Sequence, residues 1–393
     1  MFSHRITRNV APNGLTLALE GRRESGERIL DLTESNPTLS GFCYDEPNIA
    51  RALNQPGIMR YEPYPKGMLV ARKAIAAYYR ERGVEVNPES LVLASGTSEA
   101  YGYLLKLLAD PGSDILVPVP GYPLLEVLTS LEEMQLVPYR GLYDEQRGWL
   151  VDLESLTNTV SNRTKAIVVV SPNNPTGSFL KKDELAALGA LCRKFDLALI
   201  VDEVFSDYGC VVDSTRAPST AAYGEVLTFT LSGLSKVVGL PQLKLAWVSV
   251  SGPQELTRKA LEGLEFIADA YLSVSTPVQL AIGSILEGRN TIQSQILTRL
   301  EVNSHALLEA LHVAPSCCVL KREGGWYAVV RLPDEASDEE ICLRSIEQDG
   351  VLVHPGYFYD FPSGNHLVLS LLTSPEVFHE GAQLLARLLA KQT

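Results

Sequence analysis

Three short segments of the chain carry residue types that could act together in catalysis. A lysine stands in Ser232-Gly-Leu-Ser-Lys236, a carboxylate in Val201-Asp-Glu203 and an amide in Pro172-Asn-Asn-Pro-Thr-Gly177. Each segment lies at the end of an apolar run typical of a buried strand, and open α/β sheets gather ligands at the carboxyl ends of their strands. The three segments therefore predict one site that contains an amine, an acid and an amide.

The lysine and the acid suit a pyridine aldehyde cofactor. A partly desolvated Lys236 would lose its proton and form an imine with an aldehyde. Asp202 would be half-buried at its strand end and would need a cationic partner, which a protonated pyridine nitrogen provides. Taken singly, Lys236 also fits a surface loop, and Asp202 also fits a cap on the following turn. The presence of both favours the cofactor.

Further residues near strand ends fit the same cofactor. Asn174 can donate its amide hydrogen to a ring oxygen, although its segment also fits an ordinary turn. Ser95-Gly-Thr-Ser-Glu99 precedes a predicted helix whose N terminus would bind a phosphate, with Ser98 as a simple N-cap as the alternative. A charge, a hydroxyl and a stacking ring would come from Lys244, Ser235 and Tyr122. A buried tyrosine also fits the core.

The hydrophobic pattern between residues 91 and 250 predicts the strands and helices that position these residues. Short apolar runs alternate there with segments of helical periodicity, which predicts a mostly parallel sheet covered by helices. The predicted strands are 91–94, 115–119, 136–139, 166–170, 198–201, 226–230 and 245–250, and the predicted helices include 99–108, 124–131 and 182–194.

The two ends of the chain are expected to form a second domain. A long helix, broken near residues 275–277, leads into a C-terminal part that predicts a compact α+β lobe. Residues 1–45 show few helical signals and would join this lobe or bridge the two domains. We therefore expect a large domain at residues 46–284 and a small domain formed by residues 1–45 and 285–393.

The composition argues against several classes of function. The 393 residues include 34 basic and 47 acidic side chains, and the net charge of −13 argues against a nucleic-acid partner. No secretory h-region is evident, and no apolar run reaches the length of a membrane span. The 6 cysteines lack the spacing of a zinc site. We expect reduced thiols, no bound metal and a cytoplasmic protein.

Together these residues resemble the fold-type I, pyridoxal-phosphate-dependent aminotransferases of class I/II, which include aspartate and alanine aminotransferases. The resemblance extends from Asp31-Leu-Thr-Glu-Ser-Asn-Pro37 to Gly350-Val-Leu-Val-His-Pro-Gly356. It implies an α/β fold, with a large domain whose mostly parallel sheet is flanked by helices and a smaller α+β domain. It also implies pyridoxal 5′-phosphate as cofactor, with Lys236 as Schiff-base lysine, Asp202 at the ring nitrogen and Asn174 at the ring oxygen.

The resemblance assigns roles to further positions. It implies a phosphate cup and a stacking ring made by Gly96, Thr97, Ser98, Ser232 or Ser235, Lys244 and Tyr122. Ser35 stands where the family has a glycine that contacts substrate, and the expected substrate contacts are Ser35, Asn36 and Asn174. Tyr61, with Tyr64 as the fallback, matches a tyrosine that reaches the phosphate of a neighbouring subunit. The resemblance therefore implies a homodimer.

Three positions depart from the family pattern. Phe205 replaces a tyrosine whose hydroxyl bonds the cofactor ring oxygen, which leaves the imine more basic or transfers the role to a hydroxyl such as that of Tyr208. Lys244 replaces an arginine at the phosphate. Val368 replaces the arginine that clamps the substrate carboxylate, so either another cation substitutes or the substrate is not an ordinary α-amino acid. The candidate substitutes are Arg22, Arg23, Arg322 and His354.

The sequence thus predicts an aminotransferase that moves an amino group between an amino acid or amine and a 2-oxo acid. One alternative is a β-eliminating C–S lyase that uses the same cofactor, which would release pyruvate or ammonia without a keto-acid acceptor. A second alternative is a protein that binds the cofactor without turnover, which half-transamination of any amino acid would exclude.

Overall fold

The computed structural model describes Ser3, Arg5 and residues 12–391. The helices in this part of the chain are α1 (Gly14–Glu24), α2 (Glu46–Leu53), α3 (Leu69–Glu81), α4 (Thr97–Leu108), α5 (Leu124–Leu131), α6 (Leu153–Thr159), α7 (Lys182–Phe195), α8 (Leu234–Val237), α9 (Gln254–Asp269), α10 (Thr276–Glu287), α11 (Arg289–Ala310), α12 (Asp338–Arg344) and α13 (Pro375–Ala390). The strands are β1 (Leu30–Asp31), β2 (Leu91–Ala94), β3 (Asp114–Val119), β4 (Gln135–Asp144), β5 (Gly148–Val151), β6 (Thr164–Val170), β7 (Ala198–Asp202), β8 (Thr228–Gly233), β9 (Ala246–Ser251), β10 (Cys318–Val319), β11 (Tyr327–Arg331), β12 (Val351–Leu352), β13 (His354–Pro355) and β14 (His366–Ser370).

A large, mostly parallel sheet lies at the centre, as the sequence predicts. Its strand order is β2-β9-β8-β7-β6-β3-β4-β5. The strands β4, β3, β6, β7 and β8 pair in parallel, whereas β9, β2 and β5 pair antiparallel to their neighbours. Because parallel strands end at the same edge, the ends of β7 at Asp202 and β8 at Gly233 lie side by side.

Both faces of this sheet are covered, which explains why its strands read as continuous apolar runs. Successive residues of β6 point to opposite sides. Val168 packs in a cluster with the helices α4 and α9, and Ile167 packs in a cluster with α7. The middle of the sheet is therefore shielded from solvent, and the polar residues of interest lie at the carboxyl ends of its strands.

The second domain is built on a smaller antiparallel sheet of strand order β10-β11-β14-β13. The helices α11 and α13 pack against each other and share a core with this sheet. Strand β1 pairs in parallel with β12, through Leu30 with Val351 and Asp31 with Leu352. Residues 30 and 31 are thereby joined to the C-terminal part of the chain.

Some elements differ from the sequence prediction. Residues 14–24 form the helix α1, whose first turn is capped because Asn13 accepts a hydrogen bond of 2.8 Å from the Thr16 backbone. This helix buries only Leu15, so its helical pattern is weak. Strand β8 runs from Thr228 to Gly233, later than predicted. Strand β4 continues to Asp144 because it forms a hairpin with β5, which the sequence pattern did not predict.

The domain boundaries at residues 45/46 and 284/285 stay a prediction. Among the helices described above, none combines the length and the apolar character that crossing a bilayer requires.

Candidate active site

Lys236 lies on the single helical turn α8, directly after β8 ends. Its Nζ is 4.6 Å from the centre of the Trp326 ring and 5.3 Å from that of Phe205. Burial lowers the pKa of Lys236 to about 8, against the opposing charge of Asp202. Near neutral pH this amine therefore has a larger unprotonated fraction than an ordinary lysine, which is what a nucleophilic amine requires.

Asp202 is the last residue of β7, and it is buried. Its carboxylate accepts hydrogen bonds of 3.2 Å from the Tyr101 hydroxyl and 3.1 Å from the Val204 backbone. Burial raises the pKa of Asp202 to about 6, although these donors and Lys236 favour the ionised form. A cationic group beside this carboxylate would be stabilised in a dry environment, as the sequence pattern predicts for a ring nitrogen.

Asn174 lies in the turn that follows β6, and its Oδ1 is buried without a hydrogen-bond partner. Tyr327 links this turn to the second domain. Burial raises the pKa of Tyr327 to about 12, and hydrogen bonding with Ser35 and Asn174 opposes that rise. Ser35, Asn174 and Tyr327 are thus close together. Asn36 follows Ser35, and its Oδ1 accepts from the backbone and hydroxyl of Thr38.

The N terminus of α4 is where the sequence predicts the phosphate cup. Gly96 is the N-cap, and no side chain caps this end of the helix. Ser98 lies inside the first turn and is exposed, so the alternative of Ser98 as N-cap is wrong. A Cβ atom on Gly96 would lie 3.4 Å from the Lys244 Nζ. Thr97 lies beside Gly96 and is half-buried.

The remaining predicted contacts lie on two other elements. Ser232 and Ser235 flank the start of α8; the Ser232 Oγ is buried without a partner, and Ser235 is half-buried. Tyr122 precedes α5 and is about half-exposed, near enough to Tyr327 and Tyr359 to affect their pKa values.

Tyr61 is 75% exposed and lines a surface pocket together with Tyr64 and Tyr103. No hydrogen bond within the described residues joins Tyr61 to the N terminus of α4 in its own chain. A role for Tyr61 in a neighbouring subunit stays a prediction.

Tyr208 does not replace the missing tyrosine hydroxyl. Its hydroxyl donates a hydrogen bond of 2.6 Å to the backbone carbonyl of Lys236 and so helps to fix the backbone of α8. Phe205 is buried, and its ring meets Trp326 edge-on with centroids 5.1 Å apart. The position that lost its hydroxyl is therefore part of an aromatic wall beside the lysine.

The position of the expected arginine, Val368, is buried in β14. Of its candidate substitutes, Arg22 donates to the backbone carbonyls of Ile346 and Glu347, and Arg23 is exposed. Arg322 donates to the carbonyl of Gly325 at 3.0 Å. His354 lies directly opposite Val368 on the neighbouring strand.

Sequence reasoning missed three residues of this site: Tyr101, Trp326 and Tyr327. Tyr101 lies one helical turn after Thr97 on α4, a spacing that places both on related faces of the helix. That spacing was a usable signal. No local signal identifies Trp326 and Tyr327, because the packing of the second domain on the first brings them to the lysine.

The residues present fit pyridoxal phosphate. The buried, unpartnered Oγ of Ser232 and Oδ1 of Asn174 lack the partners that buried polar atoms normally have. An uncapped helix N terminus with a cation opposite Gly96 suits a phosphate. The amine and the buried acid stand at adjacent strand ends, as an aldehyde-bearing pyridine ring requires.

Comparison with known proteins identifies the family of this chain. The family model for aminotransferase class I and II matches residues 27–379. The chain is 30% identical over 364 residues to the glutamate–pyruvate aminotransferase AlaA of Escherichia coli K12, a match that covers 90% of this chain and 88% of that protein.

Two solved structures show the same fold. An aminotransferase from Escherichia coli matches with a TM-score of 0.87 at 27% identity, over 99% of this chain and 98% of that one. The alanine aminotransferase of Pyrococcus furiosus matches with a TM-score of 0.89 at 23% identity over 100% of both chains. Members of this family generally depend on pyridoxal phosphate. The chain therefore belongs to the class I and II aminotransferase family and is an aminotransferase of that type.

Proposed function

We propose that the protein moves an amino group between an amino acid or amine and a 2-oxo acid, with pyridoxal 5′-phosphate joined to Lys236. The observation that carries this proposal is the pairing of a lysine whose pKa is lowered to about 8 with a buried carboxylate whose pKa is raised to about 6. Both shifts come first from burial, and both mark groups adapted to a partner outside the chain.

Each part of the cofactor has residues that would hold it. The phosphate would lie at the N terminus of α4, with the hydroxyls of Thr97, Ser98, Ser232 and Ser235 and the Nζ of Lys244 as further donors. Asp202 would face the ring nitrogen, and Asn174 the ring oxygen. Tyr122 would stack on the ring. Ser35, Asn36 and Asn174 would contact the substrate.

When bound, pyridoxal phosphate supplies an aldehyde that takes up amino groups and a ring that withdraws electrons from the adjacent substrate carbon. Asp202 would keep the ring nitrogen protonated, because an opposite charge within a buried site stabilises the charged form. Lys236 would move the proton at the substrate carbon, since a pKa near the working pH suits a general base. The aromatic wall of Phe205 and Trp326 would exclude water from this amine.

We also propose a homodimer in which Tyr61 contacts the site of the neighbouring subunit. Apolar side chains are concentrated and exposed around this residue: Met59 is 93% exposed and Tyr64 is 50% exposed. Contiguous exposed apolar surface commonly marks an interface. Sedimentation should give the mass of two chains, and Tyr61→Phe should weaken cofactor binding without separating the subunits.

The central proposal is tested by absorbance and by peptide mapping. The holoenzyme should be yellow, and borohydride reduction should attach the cofactor to Lys236. Lys236→Ala should lose both the absorbance of the covalent link and turnover, whereas the exposed Lys194→Ala should keep both. Label at another lysine, or none, would refute the assignment.

A substrate panel then separates the reactions open to this cofactor. Amino acids and amines are scored by loss of the covalent-link absorbance, with and without a 2-oxo acid. Transamination requires the acceptor for continued turnover. Pyruvate or ammonia released without an acceptor would instead indicate the C–S lyase.

A further inference from the structure

We propose that His354 is the residue that binds the substrate carboxylate in place of the family arginine, and that this binding takes up a proton. The inference rests on the proposed function, since it concerns the substrate side of the same site. It starts from the register of the small sheet.

His354 on β13 is the direct antiparallel partner of Val368 on β14, and Val368 is also the direct partner of Val329 on β11. Directly opposed residues in antiparallel strands point to the same face of the sheet. His354 therefore projects from the same face as Val368, at the neighbouring position. In such a pair the two Cβ atoms are about 5 Å apart, so the His354 side chain begins about 5 Å from the position where the family arginine would begin.

This face of the small sheet is turned toward Ser35 and Asn174. Tyr327 lies two residues before Val329, on the same face, and it is grouped with Ser35 and Asn174. Ser370, the partner of Tyr327, lies on this face as well, and its hydroxyl donates to the backbone carbonyl of Glu34, next to Ser35. The face that carries His354 is thus the substrate side of the site.

A neighbouring tyrosine holds the imidazole in place. The Nδ1 of His354 is 3.1 Å from the Tyr359 hydroxyl, and Tyr359 in turn is close to Tyr327 and Tyr122. With Nδ1 held by Tyr359, the Nε2 of His354 is left as a donor. No hydrogen bond to that Nε2 is formed within the described residues.

Other cations near this domain have partners elsewhere. Arg331 and His366 lie on the same face, farther from Tyr327; Arg331 is paired with Glu145 at 2.9 Å, and His366 stacks on Phe361. Arg299 donates to the carbonyls of Ser40 and Leu372. Among the described residues, His354 is therefore the best-placed group that can become cationic beside Val368.

The charges around His354 define the direction of the pH effect. Burial lowers the pKa of His354, and Asp31 of β1 acts in the opposite direction. The other titratable groups near His354 are Tyr359, which contacts its ring, and beyond it Tyr327, Tyr122 and Glu34, with Asp338 of α12 bound to the backbone of Gly356. At pH 7 the free imidazole is largely neutral, because its pKa lies below the ordinary value. A carboxylate at Nε2 would raise that pKa and draw a proton onto the ring.

Calorimetry on the holoenzyme tests this proposal, with propanoate as the probe and propionamide as its uncharged match. Binding is measured in buffers of different ionisation enthalpy, which counts protons, between about pH 6 and 8.5. Propanoate should take up about one proton at about pH 7.5, and its Kd should rise up to about tenfold for each pH unit above the imidazole pKa. Propionamide should show neither effect.

Variants identify the group that takes the proton. His354→Gln should abolish the uptake and weaken propanoate binding at pH 6 by about tenfold or more, as expected when a charged hydrogen bond is lost. His354→Arg should bind propanoate tightly without pH dependence. His366→Gln, a buried histidine on the same face, is the matched control and should behave like the wild type. Any proton uptake by Lys236 would occur in the wild type and in all three variants. The difference between these four proteins therefore reports on His354.

Two outcomes overturn the inference. One is unchanged affinity and proton uptake in His354→Gln, which would assign the carboxylate to another group. The other is preference for L-alaninol over L-alanine at every pH, which would show that the substrate carries no carboxylate here. Both outcomes leave the covalent link to Lys236 intact, whereas failure of the proposed function would remove that link in the wild type. The two failures are therefore distinguishable.

Discussion

The Tyr101 hydroxyl donates a hydrogen bond of 3.2 Å to the Asp202 carboxylate, with both groups buried below the site. Tyr101 belongs to α4, the helix whose N terminus we propose as the phosphate site, and Asp202 ends β7. One helix therefore contributes both the proposed anion site and a donor that favours the ionised form of the buried acid. The two ends of the proposed cofactor are coupled through this helix.

Tyr101→Phe should raise the pKa of Asp202 above about 6, because it removes a donor to the charged form. A hydrogen bond to a charged group contributes about 1.5–3 kcal/mol, so the Kd of the cofactor should rise by about tenfold or more. Absorbance during titration of the apoprotein with pyridoxal phosphate measures the Kd. Tyr139→Phe removes a buried hydroxyl that donates to the Val168 carbonyl and should leave the Kd unchanged.

Lys236→Met should stabilise the apoprotein in a pH-dependent way. The folded-state pKa of Lys236 is lowered from 10.5 to about 8, so its burial as an ammonium opposes folding fully below pH 8. The penalty fades as pH rises from 8 to 10.5, where both states become neutral. The Tm of the variant should exceed that of the wild type at about pH 7 and match it above pH 10.5. An equal gain at both pH values would contradict the pKa shift.

Glu323→Ala should destabilise the fold strongly. Glu323 is buried and pairs with the buried Lys181, and its carboxylate also accepts from the Phe179 backbone at 3.1 Å. Removing Glu323 leaves the buried Lys181 ammonium with only the partly exposed Asp213, 3.2 Å away, so the free energy of unfolding should fall by about 3 kcal/mol. Urea denaturation measures the change.

Two further variants control the interpretation of that loss. Glu262→Ala removes an exposed partner of Arg258 on α9 and should cost no more than about 0.5 kcal/mol. The double variant Lys181→Met with Glu323→Leu should recover much of the loss, because no fully buried charge is left without a partner. Asp213, the second partner of Lys181, is partly exposed and keeps its hydrogen bonds from Thr215. A double variant as unstable as Glu323→Ala would show that packing, rather than charge, is responsible.

Gly177→Ala should disrupt the turn that holds Asn174. Gly177 has φ 71°, and a Cβ there would lie 2.4 Å from the carbonyl oxygen of Gly324. The substitution should cost well over about 1 kcal/mol in unfolding free energy and weaken cofactor binding. Gly224→Ala, where the added methyl group meets nothing within 4 Å, should remain within about 0.5 kcal/mol of the wild type. Urea denaturation of both variants measures the difference.

The large sheet and the three site residues Lys236, Asp202 and Asn174 are predictable from the sequence because each is encoded locally. An apolar run followed by a polar residue marks the end of a buried strand, and parallel strands end at one edge. Lys236 and Asp202 are therefore predicted at the same edge of the sheet, and the pairing of β7 with β8 makes them neighbours there. The helix α1 was missed for the complementary reason, since it buries too little to show an apolar stripe.

Other features depend on contacts between segments far apart in the chain. The sequence offered Tyr208 as a substitute hydroxyl, but folding directs that hydroxyl to the Lys236 backbone. The aromatic wall needs Trp326 from the second domain, at a distance that no local pattern encodes.

Periodicity predicts the strand ends, and the motifs at those ends supply the amine, acid and amide of the site and carry the resemblance to the family. Which candidate for binding the substrate carboxylate lies beside Val368 depends instead on how the strands of the small sheet pair. Antiparallel register is set by pairing across its sheet, and a shift of one residue would turn His354 to the other face. Side-chain direction across such a pair is a property of both strands together, and it cannot be read from either strand alone.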